Sequence, residues 1–182
     1  MNLFLLSEDP DECAEQHCDK HVVKMPVELT QMLYTAHHVN NSSETMEIFK
    51  LKAPEKGWKQ VFTNHPMSIW VRGTREAYEF TCLLGIALCE EYTYRYDREH
   101  ACEKHLRWLE ESHPEDFPKN LKDTFNVCRT PPTLVETPFK YFPLCMPIEY
   151  KTDDAILSYH QYYIGDKKRF ATWKRRTPPL WW

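Results

Sequence analysis

The chain has 182 residues, enough for one domain with a substantial hydrophobic core. Its four glycines and 13 prolines argue against an α/β fold with glycine-rich turns and favour helices joined by proline-punctuated loops. The net charge of −4 is unevenly distributed, because residues 167–176, KKRFATWKRR, carry six basic groups and no acid. No apolar run reaches membrane-spanning length, and the start of the chain lacks the basic region of a signal peptide. We therefore expect no membrane contact and a cytoplasmic location.

The cysteine pattern gives no sign of a disulfide framework or a structural zinc site. Seven cysteines are present, and none forms a CxxC pair. Without a secretory signal we expect reduced thiols. We predict no cofactor.

The first 40 residues predict a short apolar segment followed by two helices. NLFLL is a strand or a buried arm, and Asp9, Pro10 and Glu12 have the spacing of a helix N-terminus with a capping box. A helix over residues 10–24 would place Cys13, His17 and His21 on one face. Pro26 should break or restart it, with a second helix to about residue 39.

The rest of the chain predicts further helices and proline-rich connections. Residues 40–64 indicate an exposed connection, and residues 66–96 indicate a long helix whose centre, FTCLLGIALC, is apolar on all sides. HACEKHLRWLEE is amphipathic, residues 113–150 are rich in proline, and residues 153–170 predict a closing helix. We predict a mainly α, single-domain helical bundle over residues 1–182, with a basic and aromatic tail at 167–182.

Residues 14–33, AEQHCDKHVVKMPVELTQML, place many ionisable groups in a segment that otherwise has the pattern of a buried helix. His17 and His21 have the spacing with which two imidazoles share one metal ion. Glu28, or a histidine from elsewhere (His37, His38 or His65), would complete such a site. The alternative is that these histidines form hydrogen bonds or line a polar groove.

A second interpretation of the same segment needs no metal. Lys20, Lys24 and Glu28 recur at steps of four, so an amine and a carboxylate would lie on one helix face. A neutral lysine attacks carbon, and a glutamate beside it transfers protons or stabilises a developing cation. The alternative is a solvated face with ordinary ion pairs.

Two further segments supply candidate binding residues. In NHPMSIWVRG, residues 64–73, His65 and Arg72 could face the same cleft, and Trp70 is either a stacking surface or part of the core. The C-terminal tail interleaves basic and aromatic residues, a pattern typical of nucleic-acid binding, although charge runs usually form a solvated surface. The terminal PPLWW could equally fold back onto the core.

Nearly the whole chain resembles a group of bacteriophage proteins of similar length. The shared segments include HCDKHVVKM, NHP followed by Trp70, EEYTYRY, and YHQYYIGDKKRFATW. This resemblance indicates a protein that acts in an infected host cell but supplies no activity.

Over about half the chain, short motifs also resemble the pyrimidine-dimer DNA glycosylase family. DKHVVKMPVE keeps the family's acidic and basic positions and its glutamate at Asp19, Lys20, Lys24 and Glu28. NHPMSIW matches a second block, and AEQH, residues 14–17, is similar to the ADQH of the family's phage branch.

This resemblance implies an all-α enzyme that flips a nucleotide out of the DNA stack. An amine attacks C1′, a Schiff base forms, and a glutamate, here Glu28, assists elimination. The family's phage enzymes use the α-amine of a small second residue, whereas Asn2 is too large for efficient removal of Met1. Either the Met1 amine, Lys20 or Lys24 serves here, or the lyase step is lost. His21 and Pro26 also replace arginines of the family, so a different or modified pyrimidine is a plausible substrate.

The leading hypothesis is N-glycosidic bond chemistry on DNA or a nucleotide, without metal. The alternatives are a metal-dependent enzyme built on His17 and His21, and a non-catalytic viral protein that binds nucleic acid or a host factor. The sequence leaves the oligomeric state open. The candidate catalytic residues are Glu28, Lys24, Lys20 and Asp19; the candidate substrate-binding residues are His17, His21, His65, Trp70 and Arg72; and the candidate nucleic-acid-binding residues are Lys167, Lys168, Arg169, Lys174, Arg175 and Arg176.

Overall fold

A computed structural model describes residues 1–182 as a mainly helical protein with one small sheet. None of its helices combines the length and apolar character needed to cross a lipid bilayer. The helices are α1 (Pro10–Gln16), α2 (Asp19–Asn40), α3 (Ser43–Lys52), α4 (Pro66–Val71), α5 (Arg75–Tyr96), α6 (Glu103–Glu110), α7 (Leu121–Thr124) and α8 (Ala155–Tyr162), and the strands are β1 (Leu134–Thr137) and β2 (Lys140–Pro143). Short 3-10 turns occupy Pro54–Lys56, Phe125–Val127 and Ile148–Tyr150, and a π-helical turn follows α8 at Tyr163–Lys167.

Helix α5 is the centre of the bundle, as the apolar run FTCLLGIALC predicts. It packs most extensively against α2 and also against α1, α4 and α6. Gly85 permits the close approach of α6, since a Cβ there would lie 2.6 Å from Leu106 Cδ2. The antiparallel hairpin β1–β2 covers α4, with Val135 opposite Phe142. The mainly α, single-domain prediction is confirmed.

The N-terminal arm, residues 1–6, has neither helical nor strand structure, and its apolar side chains are buried. Leu3, Phe4, Leu5 and Leu6 are at most 6% exposed. Burying this run fixes the start of the chain inside the fold, because each large apolar side chain contributes about 1.5–3 kcal/mol when removed from water. The arm therefore holds Met1 and Asn2 in a defined position.

The single helix predicted over residues 10–24 is wrong. Helix α1 ends at Gln16, and His17 and Cys18 are extended before α2 begins at Asp19. The C-terminal tail stabilises this interruption by bonding to the backbone on both sides of it. Trp173 Nε1 donates to Gln16 O at 3.0 Å, and Asp19 N donates to Thr172 O at 2.8 Å. His17 and His21 consequently do not lie one turn apart on a common helix face.

The predicted break at Pro26 is also wrong, because α2 runs through it. Proline removes one backbone hydrogen bond from a helix interior. Buried Val22, Met25 and Leu29 hold this part of the helix in the core and offset that loss. Glu28 and Thr35 therefore belong to the same helix as Lys20 and Lys24.

Three other predicted elements differ from the structure. The helix predicted over residues 66–96 is interrupted at Arg72–Thr74, where a Cβ on Gly73 would lie 2.1 Å from Leu121 Cδ1. The connection predicted over residues 40–64 contains α3, and the proline-rich connection contains the hairpin and α7. The helix predicted over residues 153–170 is shorter and ends in the π-helical turn.

Candidate active site

Residues 1 and 2 are held by contacts from four different parts of the chain. The Met1 side chain is 1% exposed, and its sulfur accepts a weak hydrogen bond from Ser68 Oγ at 3.4 Å. Asn2 Nδ2 donates to Cys145 O at 3.0 Å, and Asn2 Oδ1 accepts from Tyr159 Oη at 3.1 Å. These contacts give the Met1 nitrogen a fixed position.

Glu28 faces this anchored segment from the middle of α2. Its Oε2 accepts from the backbone N–H of Asn2 at 2.7 Å and lies 3.8 Å from the Met1 amino nitrogen. Its Oε1 is 2.7 Å from Lys24 Nζ. The Glu28 side chain is 11% exposed and that of Lys24 is 66% exposed. A mostly buried carboxylate thus stands between an amino group and a lysine that reaches into solvent.

His65 supplies a third group at this position. It caps the N-terminus of α4, where its Nδ1 accepts from Met67 N–H at 3.2 Å. Burial lowers the pKa of His65, the positive charge at Met1 lowers it further, and Glu28 acts in the opposite direction. The imidazole is therefore neutral at pH 7. Because Nδ1 accepts a hydrogen bond, the hydrogen is on Nε2, which is then a hydrogen-bond donor.

Lys20 does not join this group. Its ammonium lies over the Phe170 ring, 4.8 Å from the centroid. With Lys24, Val23, Asp19 and Tyr96 it lines a surface depression on the exposed side of α2. Glu28, the ion-pair partner of Lys24, does not line this depression. Among the side chains predicted for catalysis, Lys24 and Glu28 meet and Lys20 lies apart.

Asp19 makes structural contacts at the start of α2. Its Oδ1 accepts from Arg95 Nη1 and from the backbone N–H of Lys174, both at 2.9 Å. Its Oδ2 accepts from Thr172 Oγ1 at 2.7 Å. All of these partners belong to α5 or the tail, so Asp19 attaches the tail to the bundle.

His17 and His21 lie within the core and face aromatic rings. His17 is 0% exposed and its Nδ1 bonds to Cys13 O at 2.6 Å, while its Nε2 has no partner. His21 Nδ1 bonds to Tyr163 Oη, and its ring stacks on Phe4 at 4.4 Å. Burial lowers the pKa of His17 to about 4 and that of His21 to about 2. Both are neutral core residues, in contrast to the predicted pocket lining.

The structure gives no support to the metal-site alternative. The His17 and His21 rings are 6.2 Å apart, and no group of three or more His, Cys, Asp or Glu side chains is placed to hold a metal ion. The predicted additional ligands lie elsewhere: His37 bonds to Tyr78, His38 to Trp58 O, and His65 caps α4.

Trp70 and Arg72 also have structural positions. Trp70 is 0% exposed and packs against Phe142 at 4.8 Å between ring centroids, so the stacking-surface interpretation is wrong. Arg72 is 7% exposed, and its Nη1 donates to Thr63 O at 2.5 Å. Arg72 therefore fixes the loop before His65.

The tail is folded onto the bundle, as one of the two interpretations of PPLWW predicts. Trp181 stacks on His160 with 4.0 Å between centroids, and its Nε1 donates to Gln16 Oε1 at 2.7 Å. Arg176 bonds to Glu91 at 2.8 Å and Arg175 forms a two-pronged ion pair with Asp97. Three of the six tail cations, Lys167, Arg175 and Arg176, are thereby neutralised by carboxylates.

The other three tail cations, Lys168, Arg169 and Lys174, form no ion pair, and Arg169 and Lys174 lie next to residues of α2 or their aromatic neighbours. Arg169 lies over the same Phe170 ring as Lys20, at 5.4 Å, and Lys174 lies over Tyr96 at 5.0 Å. Lys168 is exposed nearby in sequence. We call this the cationic–aromatic face: Lys20, Lys24, Lys168, Arg169 and Lys174 with Phe170 and Tyr96.

Sequence reasoning missed the residues that fix the start of the chain. Ser68, Cys145 and Tyr159 hold Met1 and Asn2 from regions 67 to 157 positions away along the chain. The only signal was the apolar run NLFLL, which predicts burial but not its partners. No protein-family model matches the chain, and no match was found among curated proteins or solved structures.

Proposed function

We propose that this protein is a DNA N-glycosylase that acts on a damaged or modified pyrimidine, with the Met1 amine as nucleophile and Glu28 as the proton-transfer group. The observation that carries the proposal is the anchored Met1 nitrogen 3.8 Å from a mostly buried carboxylate. The order of motifs shared with pyrimidine-dimer glycosylases supports the same chemistry. An amine, a carboxylate and a neutral imidazole donor are the groups that this reaction needs.

The Met1 amine is the best placed of the three candidate amines. Lys20 is held over Phe170, and Lys24 is 66% exposed. Glu28 Oε2, on the side of Met1, is positioned to accept the proton that the amine releases.

The proposed reaction begins with attack of the neutral amine on C1′ of the flipped nucleotide. The C1′–N bond to the base breaks, and the base leaves with the electron pair as an anion. His65 Nε2–H donates a hydrogen bond to this anion, which then takes up a proton from solvent. The attached nitrogen loses a proton to Glu28. Its lone pair then forms the C1′=N bond as the C1′–O4′ bond breaks. O4′ takes up the proton that Glu28 holds, which returns Glu28 to its carboxylate form. In the lyase step Glu28 removes a C2′ proton, and the 3′ phosphate leaves.

Substrate access requires Lys24 to move. Lys24 lines the surface depression, Glu28 does not, and Glu28 is the only carboxylate partner of Lys24. Lys24 is the exposed member of this pair, and the Met1 amino group stays beside Glu28 when Lys24 moves, so a phosphate can displace Lys24 without leaving Glu28 unpaired. The lysine would then neutralise that phosphate.

The cationic–aromatic face supports DNA as the substrate class. Its five cations have no carboxylate partner other than Glu28, so they are available to phosphates. Phe170 and Tyr96 provide rings between them. Lys24, a member of this face, contacts Glu28 one helical turn further along α2. Phosphate contacts there would place a nucleotide beside the Met1 nitrogen.

Borohydride trapping tests the amine. We expect the protein to form a covalent adduct with duplex DNA that carries an abasic site or a pyrimidine dimer, and peptide mapping should locate the adduct on Met1. A Gly-Ser extension before Met1 moves the amine away and should abolish the adduct. Lys24→Met is the matched control and should retain it. An adduct on Lys24, or an undiminished adduct in the extended protein, would contradict the assignment to Met1.

The second candidate function is nucleic-acid binding without catalysis, which the cationic–aromatic face favours by itself. Glu28→Gln separates the two functions, because it leaves all five cations in place. If the wild-type protein binds DNA but neither releases a base nor forms an adduct, the protein is a nucleic-acid-binding protein without glycosylase activity.

A further inference from the structure

The loop before α4 presents one exposed aromatic side chain on a strained backbone. Phe62 is 65% exposed. Its backbone φ of 48° lies in the left-handed region, which residues other than glycine and asparagine rarely adopt. Folding gains little from an apolar ring left in water. A strained conformation that exposes such a ring therefore calls for an explanation other than packing.

Tertiary hydrogen bonds hold the backbone on both sides of Phe62. Val61 N–H donates to Thr35 Oγ1 at 3.1 Å, and Arg72 Nη1 donates to Thr63 O at 2.5 Å. His65 N–H donates to Phe62 O at 2.9 Å and closes a turn. The loop is thus fixed by α2 and α4, and the ring is held in its exposed position.

This loop lies beside the candidate active site. Phe62 and His65 are the first and fourth residues of the same turn, and the charges of Met1 and Glu28 both act on His65. Thr35, which bonds to Val61, follows Glu28 on the same face of α2, and the seven-residue separation is about 10 Å along the helix. Lys20 and the tail cations lie toward the opposite end of α2, so Glu28 lies between the cationic–aromatic face and the Phe62 loop.

We infer that Phe62 is a wedge that stacks in duplex DNA where a nucleotide is turned out toward Glu28. This inference rests on the proposed function. Chemistry at C1′ requires unstacking of the target nucleotide, and an inserted aromatic ring replaces the lost stacking. Lys59, three residues before Phe62, is exposed and forms no ion pair, which provides a phosphate contact on this side. A protein partner would need an apolar surface around Phe62, whereas its exposed neighbours are Lys59, Gln60 and Asn64.

The test compares Phe62→Ala with Phe62→Trp on two substrates, a dimer-containing duplex and the same strand alone. We expect Phe62→Ala to lower the single-turnover rate on the duplex about tenfold or more, the size of one lost stacking contact, and to change the rate on the single strand less than about twofold. Phe62→Trp should keep the duplex rate. A 2-aminopurine base next to the dimer should brighten with the wild-type protein and not with Phe62→Ala. Ile148→Ala removes another exposed side chain, 75% exposed, and should match the wild-type protein in every assay.

Each alternative outcome is distinct. If the wild-type adduct depends on Glu28 and Phe62→Ala acts like the wild-type protein on both substrates, the wedge is wrong and the glycosylase stands. If the wild-type protein releases no base and forms no adduct on either substrate, the proposed function fails and the wedge fails with it. If Phe62→Ala changes the sedimentation coefficient but no DNA measurement, Phe62 is a protein contact and the wedge is overturned.

Discussion

Two carboxylates, Glu28 on α2 and Glu91 on α5, are almost equally buried but have different partners. Glu91 is 4% exposed, and its oxygens accept from Arg95 Nε at 2.6 Å and from Arg176 Nη2 at 2.8 Å. Glu28 accepts one backbone N–H, lies near the Met1 nitrogen, and pairs with a lysine that is mostly in solvent.

The difference separates a structural ion pair from a candidate catalytic one. Two guanidinium groups donate three hydrogen bonds to Glu91, and Arg95 is 0% exposed, so this network holds the tail and α5 together. The proposed proton transfer from Met1 to Glu28 depends on partners that Glu91 does not have. Burial alone therefore does not mark a functional carboxylate; the mobility and chemistry of its partners do.

Paired substitutions at these two positions test the comparison with the largest expected effects. Glu28→Gln should reduce base release and adduct formation about a hundredfold or more, the usual contribution of a proton-transfer group, because an amide cannot accept the proton. Glu91→Gln should lower the free energy of unfolding by about 1.5–3 kcal/mol, because it removes one of the two carboxylates that pair with buried Arg95 and leaves Asp19 as the other. Urea unfolding and single-turnover assays measure both. If Glu28→Gln keeps the wild-type rates of base release and adduct formation, Glu28 is a structural residue like Glu91.

The buried histidines of the N-terminal half should make stability depend on pH. The folded-state pKa of His17 is about 4, against about 6.5 in the unfolded chain, so the unfolded state binds more protons between these values. We therefore expect the free energy of unfolding to fall as the pH drops from about 6.5 toward 4, by up to about 1.4 kcal/mol per pH unit for this histidine. Urea titrations at several pH values measure the slope. His17→Gln should remove the contribution of one titrating group from the slope of the free energy of unfolding against pH. An unchanged slope would show that His17 is not responsible for the pH dependence.

Charge reversal on the cationic–aromatic face tests whether the unpaired cations contact DNA. Lys20→Glu with Lys174→Glu should weaken DNA binding by about tenfold or more at 0.15 M salt and reduce the slope of log K against log salt by about 2. Fluorescence anisotropy across a salt series measures both. Lys52→Glu with Lys119→Glu carries the same charge change on exposed lysines outside this face and should have a much smaller effect. Equal losses in the two pairs would indicate a general charge effect.

The smallest effect is expected at the exposed end of the tail network. Arg175 forms two hydrogen bonds to Asp97, but the Arg175 and Asp97 side chains are 44% and 72% exposed. Asp97→Asn should therefore change the free energy of unfolding only slightly, and much less than Glu91→Gln. Thermal or urea unfolding measures it. A loss as large as that in Glu91→Gln would show that the whole tail network acts as one cooperative unit.

Local sequence patterns were sufficient for the mainly α class of the fold and for its central helix. The apolar run FTCLLGIALC predicts a buried central helix, and α5 confirms it. The capping residues at Asp9 correctly predict the start of α1, where Asp9 Oδ1 accepts from Glu12 N–H at 2.8 Å. Such signals involve residues within one or two helical turns, where spacing alone decides the contact.

Spacing failed where distant segments decide the local structure. The regular recurrence of Cys13, His17 and His21 predicts one helix face, but Thr172 and Trp173 bond to the backbone at the break between α1 and α2. Trp70 shows the same limit, because nothing in its neighbourhood in the sequence shows that Phe142 covers it.

The sequence by itself determined that this protein is a mainly helical domain and that α2 carries ionisable groups among apolar positions. Lys24 and Glu28 meet because a helix brings residues four positions apart onto one face. Only the tertiary structure decided that Met1 reaches Glu28 and that Arg175 and Arg176 are neutralised. Those contacts join residues 27 to 85 positions apart, and their geometry depends on how the arm, the helices and the tail pack together.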